Sequence, residues 1–246
     1  MAKPDKISIL GVFFSYVTFD ETVDKLMDFL NGGEPRAIYT PNPEIIMIAR
    51  KDAEFMRILS RADMVLPDGI GIVIASKFGA YKFRERVTGC DTSLRIFEKI
   101  KDTDKTVYFY GGAPGVAEEA RIKLQASYPG LKIIGARDGF QDEEAQNKMI
   151  EEIKRLKPDI LLVGTGSPRQ ERWIDKHKNE LPCKILMGVG GSFDVYSGKV
   201  RRAPDIWVNM RLEWLYRLIK QPSRIKRQIQ LPLFMLTVIK ERFIKR

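Results

Sequence analysis

The sequence predicts an α/β fold: a Rossmann-like, mainly parallel sheet with helices on both faces, followed by a basic helical appendage at the carboxyl end. Three observations carry that prediction. Short β-rich runs alternate with amphipathic stretches of helical period. The runs are apolar almost throughout, as strands covered on both faces must be. Several of them end in glycine, where the backbone leaves a strand for a helix.

Taken in order, residues 7–17 are apolar enough to imitate a secretory leader. Asp5 precedes them and no small-residue cleavage site follows, so they read as an opening strand. The helical DETVDKLMDFL comes next, then the strand RAIYT and a segment with Ile45, Ile46, Ile48 and Ala49 on a helical pattern. MVL (64–66) leads into IGIVIASKF, TVYFYGG into VAEEARIKLQASY, and LKIIGA into EEAQNKMIEEIKRL. DILLVGTG then precedes RQERWIDKHKNEL, and KILMGVGGSF is the last strand-like run. There is no internal repeat and no low-complexity segment.

Composition narrows the function classes. A chain of 246 residues, 44% hydrophobic and 30% charged, has the make-up of a soluble globular protein with a substantial core. Cys90 and Cys183 lie far apart without CxxC spacing, which argues against a zinc site or a disulfide framework and fits a reducing compartment. The single histidine, His177 in DKHKNE, reads as a solvated helix end, so Ser-His-Asp chemistry and multi-histidine metal sites are not expected. No apolar run reaches the roughly 18 residues that a membrane-spanning helix needs.

The charge is located. Residues 1–198 hold 29 basic and 29 acidic side chains, whereas residues 199–246 hold 13 basic and 3 acidic, so the whole excess of +10 lies in the last fifth of the chain. A neutral body, 1–198, thus carries a basic appendage, 199–246, suited to an anionic partner.

Chemistry is expected at the carboxyl ends of the strands. Gly111 and Gly112, Gly164 and Gly166, then Gly188, Gly190 and Gly191 favour a phosphate-bearing ligand there, because glycine lets backbone N–H groups approach it. None of these loops is a GxGxxG fingerprint or a GxxxxGK[ST] loop. Asp68, in LPDGIG, sits where a strand empties into a turn; Pro-Asp-Gly is an ordinary turn tripeptide, so a turn residue, a ligand and a base are all open readings. In YTPNPE, prolines flank Thr40 and Asn42 and fix the aim of both short polar side chains. GSPRQERW opens a helix with Arg169, Gln170 and Glu171 at the same edge.

Six stretches, TPNPE, ADMVLPDGIGIV, YFYGGAPGVAEEA, GTGSPRQERW, GVGGSFDVYSGKVRRAP and LEWLYRLIKQPSRIKRQ, resemble in order and spacing the successive motifs of the bacterial WecG/TagA/CpsF glycosyltransferase family. The resemblance runs from about residue 7 to 228 and is nearest to the branch that transfers N-acetylmannosamine in wall teichoic acid synthesis. It implies transfer from UDP-N-acetylmannosamine to the 4-hydroxyl of undecaprenyl-diphosphate-linked N-acetylglucosamine, with inversion to a β linkage, no cofactor and no bound metal. By the same resemblance Asp68 is the base, and Thr40 and Asn42 orient the sugar or base. Arg86 contacts donor or acceptor, Gln170 the donor sugar or phosphate, and Asp194 the uridine. The Asp-x-Asp at 102–104 has the spacing of a metal motif but precedes a strand, at the amino end of the sheet.

Without a metal, arginines must meet the leaving diphosphate. Arg217, Lys220, Arg224 and Arg227 recur at intervals of three or four in the tail, opposite an apolar stripe of Val208, Leu212, Leu215 and Ile219. The expectation is a peripheral protein on the cytoplasmic face of the membrane: the tail docks on the anionic surface, residues 229–239 lie in the interface, and Arg217, Arg224 and Arg227 complete the site. The same stripe suits a homo-oligomer. Three rivals remain: a Rossmann oxidoreductase, a nucleic-acid-binding module, and the same chemistry with UDP-N-acetylmannosaminuronic acid or UDP-glucose.

Overall fold

Alternation along the strands decides the layers. In β5 (Thr106–Gly111) and β7 (Ile160–Gly164), Val107, Phe109, Ile160 and Leu162 enter one apolar layer, while Tyr108, Tyr110, Leu161 and Val163 enter the other. Both faces therefore need cover. In the computed structural model, which describes residues 4–201, 204, 207, 210, 213–220 and 229–244, they have it.

With β3 (Arg36–Tyr39), β4 (Met64–Val65), β6 (Lys132–Arg137) and β8 (Ile185–Gly188), these strands form a six-stranded, all-parallel sheet in the order β4-β3-β8-β7-β5-β6. One face packs against α1 (Phe19–Asn31), α5 (Gly89–Ile100), α6 (Val116–Ser127) and α9 (Ser192–Tyr196). The other packs against α2 (Pro43–Ala49), α3 (Ala53–Ser60), α4 (Ile70–Ser76), α7 (Glu143–Leu156) and α8 (Arg169–His177). The α/β architecture expected from the sequence is the one observed.

Where adjacent strands send their chains to opposite faces, a crevice opens at the carboxyl edge. From β3 across to β6 the exits alternate: β3 leaves for α2, β8 for α9, β7 for α8, β5 for α6 and β6 for α7, so each of these four adjacent pairs diverges to opposite faces.

The amino edge is laced by carboxylates. Asp63 accepts from the Ala37 N–H (2.8 Å), Lys178 Nζ (2.6 Å) and Arg36 Nη1 (3.0 Å). Burial alone would raise this carboxyl, but the three donors together hold it below the usual range. Asp159 does the same for β5 and β8 through the Thr106 N–H (3.0 Å) and Lys184 (3.2 Å). Asp104 of the Asp-x-Asp stretch lies on this edge too, paired with Lys132 at 2.7 Å and open to solvent.

The structure departs from the sequence expectation in three respects. The opening strand is a hairpin, β1 (Lys6–Ile9) against β2 (Val12–Ser15), because Leu10 (φ 50°) and Gly11 (φ 87°) reverse the chain in two residues. A leucine at the first turn position hides that turn inside an apolar run. Next, α3 and α5 are helices that the strand-by-strand reading passed over, each begun by a side-chain cap, Asp52 and Thr88. Finally, His177 is buried rather than solvated: its ring stacks on Trp173 at 4.6 Å and its Nδ1 bonds Glu180.

The tail holds α10 (Glu213–Lys220) and α11 (Gln230–Ile244). Phe234 and Val238 of α11 are buried among α2 and α4, and Arg50 pairs with Glu241 at 2.5 Å. The outer side of α11 exposes Leu233 and Leu236, with Ile229 just before it. Residues 229–239, expected to lie in a membrane interface, thus commit one side to the body. Among the described residues no helix is long and apolar enough to cross a membrane. Val208, Leu212, Arg224 and Arg227 lie outside the described residues, as does the side chain of Arg217.

Gly111 sets a sharp test of this packing. It has φ 141°, and a Cβ there would stand 2.4 Å from the Gly164 carbonyl carbon on the neighbouring strand. Gly111→Ala is expected to lose about 3 kcal/mol or more of stability through strain and overlap. An unchanged urea midpoint for that variant would contradict the packing described.

Candidate active site

Because all six strands of the main sheet run the same way, the loops that lead from them to the helices open on one edge. From one side of the sheet to the other these loops carry Asp68 (after β4), Thr40 and Asn42 (after β3), 189–191 (after β8), 165–168 (after β7), Gly112 (after β5) and 138–141 (after β6). Neighbouring strands stand about 4.8 Å apart, so the Asp68 end and the Gly112 end are separated by roughly 19 Å.

At the β4 side, Leu66 donates its N–H to Tyr39 O (2.8 Å) and Asp68 donates its own to Leu66 O (2.9 Å), which makes the tight turn. Gly69 follows at φ 90°, where an added Cβ would stand 3.3 Å from Pro43 Cδ and 3.6 Å from Asn42 Cβ. The Val87 N–H donates to Pro67 O at 3.1 Å and so brings Arg86, half-buried, beside the same turn. Asp68 does make a turn, and the turn lies at the mouth of the edge.

Thr40 and Asn42 are held firmly. The Thr40 hydroxyl donates to Gly188 O at 3.2 Å and joins β3 to β8; its methyl faces Gly89, where a Cβ would stand 3.2 Å away. Asn42 caps α2, its side-chain oxygen accepting from the Ile45 N–H at 3.0 Å. The Asn42 amide N–H groups remain as the donors this side chain can offer a ligand.

The glycine-rich side differs from a phosphate loop in one respect. Gly111 is packed on Gly164, and the Gly112 N–H donates to Gly164 O at 3.0 Å, so these two glycines serve strand contact. Open space lies instead at Gly115, Gly166 and Gly190, where an added Cβ would meet nothing within 4 Å. The helices that begin here, α6, α8 and α9, have no side-chain cap, and neither has α4 after the Asp68 turn, whereas Asn42 and Thr88 cap α2 and α5. Uncapped N-terminal N–H groups and the positive ends of helix dipoles favour an anion. Asp194 lies in the first turn of α9, half-buried.

Gln170, expected to meet the donor, turns inward. It is 2% exposed, its Nε2 donating to Glu171 (2.8 Å) and its Oε1 accepting from the Gly190 N–H (3.0 Å). Glu171, read from the sequence only as a neighbour, is buried and accepts from Ser167 Oγ at 2.9 Å. Burial raises its carboxyl, against the pull of the Gln170 and Ser167 hydrogen bonds. A signal for this existed: Gln170, Glu171, Ile174 and His177 share the buried stripe of α8 at helical spacing. Arg169 points along the edge and donates to Gly139 O at 3.0 Å.

A family model described as Glycosyl transferase WecG/TagA/CpsF family matches residues 7–246. The chain is 35% identical over 226 residues to a protein of Bacillus spizizenii named N-acetylglucosaminyldiphosphoundecaprenol N-acetyl-beta-D-mannosaminyltransferase, covering 92% of this chain and 85% of that one. Proteins of the same name from Bacillus subtilis and Staphylococcus aureus are 37% identical over 204 residues and 32% over 237, covering 83% and 96% of this chain and 79% and 92% of theirs.

Asn42 separates holding the fold from holding a ligand. Asn42→Ala removes the α2 cap and is expected to lower stability by about 1 kcal/mol. Asn42→Asp keeps an accepting oxygen and the cap but loses the amide donors, so thermal unfolding stays near wild type while turnover falls. Equal stability and equal activity in the Asp variant would remove Asn42 from the site.

Proposed function

The chain belongs to the WecG/TagA/CpsF glycosyltransferase family, and from that premise we propose that it moves N-acetylmannosamine from UDP-N-acetylmannosamine to the 4-hydroxyl of undecaprenyl-diphosphate-linked N-acetylglucosamine. The anomeric configuration inverts in a single displacement and a β linkage forms, as in the linkage unit of wall teichoic acid. The observation that carries this reading is the division of the edge: a carboxylate in a tight turn after β4, and open glycine loops at Gly190, Gly166 and Gly115 after β8, β7 and β5, about 10 to 19 Å away across the sheet.

In this reading the UDP lies over the loops after β5, β7 and β8, with Asp194 on the uridine side, and the acceptor lies over β3 and β4. Asp68 takes the proton of the attacking hydroxyl as the new bond forms. Arg86, beside the same turn, and the amide of Asn42 hold the sugars in line. Thr40 acts by joining β3 to β8 under the reacting sugar. The departing diphosphate gathers charge, which arginines of the tail neutralise, since a guanidinium fork matches phosphate oxygens.

The root of the tail supports that last assignment. Leu231 of α11 packs on Gly71, three residues beyond Asp68: a Cβ at Gly71 would stand 2.7 Å from Leu231 Cδ1. Arg224 and Arg227 precede this anchor by a few residues and serve the same site; Arg217 belongs to α10. The exposed Ile229, Leu233 and Leu236, with the basic excess of residues 199–246, suit docking to the anionic inner face of the membrane, where a polyprenyl acceptor resides.

Two measurements test this. A panel of UDP-sugars offered with lipid-linked N-acetylglucosamine should give UDP release with UDP-N-acetylmannosamine, and Asp68→Asn should lower turnover by about 10²–10⁴-fold; full activity in that variant removes Asp68 from the base role. An Arg224→Ala, Arg227→Ala double variant should lose turnover on the lipid acceptor, and unchanged rates would sink the part given to the tail.

A further inference from the structure

Glu171 is a buried carboxyl group whose hydrogen-bond donors, Ser167 and Gln170, are neutral. It is 1% exposed, and its oxygens accept from Ser167 Oγ (2.9 Å) and Gln170 Nε2 (2.8 Å). Burying such a group is unfavourable unless its hydrogen bonds are well made. What those bonds accomplish follows from the chemistry of an amide. One end of Gln170 only donates and the other only accepts. A carboxyl oxygen at 2.8 Å accepts, so it holds Nε2 toward itself and turns Oε1 outward to the Gly190 N–H. This holds in either protonation state. A proton on Oε2 would face Ser167 Oγ, which is able to accept it, and Oε1 would remain an acceptor.

We infer that Glu171 is a positioning residue for the donor half of the site: by orienting the Gln170 amide it ties the loop after β7 to the loop after β8 and sets the backbone at Gly190. That backbone borders the open space beside Gly166 and Gly190. The Asp68 turn lies on the far side of β3 and does not share these bonds. The brace therefore acts on donor binding and leaves acceptor binding alone. It rests on the placement of the UDP-sugar over the loops after β5, β7 and β8.

The test compares wild type, Glu171→Leu and Glu171→Gln by steady-state kinetics, with UDP-N-acetylmannosamine and the lipid-linked acceptor varied in turn, and by amide hydrogen exchange at Gly190. Leucine fills the space without an acceptor. The donor KM should rise about tenfold, as expected for one lost buried hydrogen bond and a loosened loop, with the acceptor KM unmoved and Gly190 exchange faster. Glutamine can place its carbonyl toward Gln170 and its amide toward Ser167 Oγ, so it should restore most of both. A Leu variant with wild-type donor KM and wild-type exchange overturns the inference, as does an equal change in both KM values. Should the Leu variant not fold, Gln170→Met removes the same bond to Gly190 from the other side, and the same split is required of it. Should wild type not turn over this donor, the functional reading fails, and Gly190 exchange alone decides the brace.

Discussion

Everything in this molecule depends on six strands running in one direction. A parallel sheet joined by helical crossovers puts all the strand carboxyl ends, and all the helix N-termini that follow them, on a single edge. That edge therefore collects polar side chains, glycine turns and the positive ends of helix dipoles, although each comes from a distant part of the chain. The opposite edge has a different task. Asp63 and Asp159 there tie the starts of strands that the chain visits far apart, and both are held ionised by the lysines and backbone N–H groups around them.

The site edge is prepared more than it is decorated. Thr40, Gln170, Glu171 and the Gly112 N–H are all engaged with other protein groups, and Asn42 gives its oxygen to a helix start. These residues fix where the loops stand, as the proposed alignment of two sugars and a diphosphate would require. In the proposed function, direct contact with substrate is assigned to Asp68 and Arg86 at one end and to open backbone and Asp194 at the other. The last helix joins the same arrangement from outside, because Phe234 and Val238 sink into the layer formed by α2 and α4. Its exposed Leu233 and Leu236 face away from that layer.

Much of the fold was legible in the sequence. Apolar runs such as ILLVG and VYFYG require a sheet buried on both sides, and the amphipathic stretches between them supply its cover. The places where the reading fell short share a cause. Leu10 occupies a turn position usually held by Asn or Gly, so the hairpin looked like one strand. His177 sits among charged neighbours, yet its ring lies on Trp173, one turn back on the same helix. Charge in the neighbouring sequence does not report which face of a helix a side chain takes.

For the site the division is similar. The sequence by itself determined which residue types stand at strand ends, that the loops lack a dinucleotide fingerprint, and that the basic excess is confined to the tail. Those are properties of order along the chain. Only the tertiary structure decided that Asp68 and Gly112 lie four strands apart on one edge, that Gln170 faces inward, and that Glu171 is buried beside it. Strand order and burial depend on contacts between residues far apart in sequence, and such contacts leave no local pattern to read.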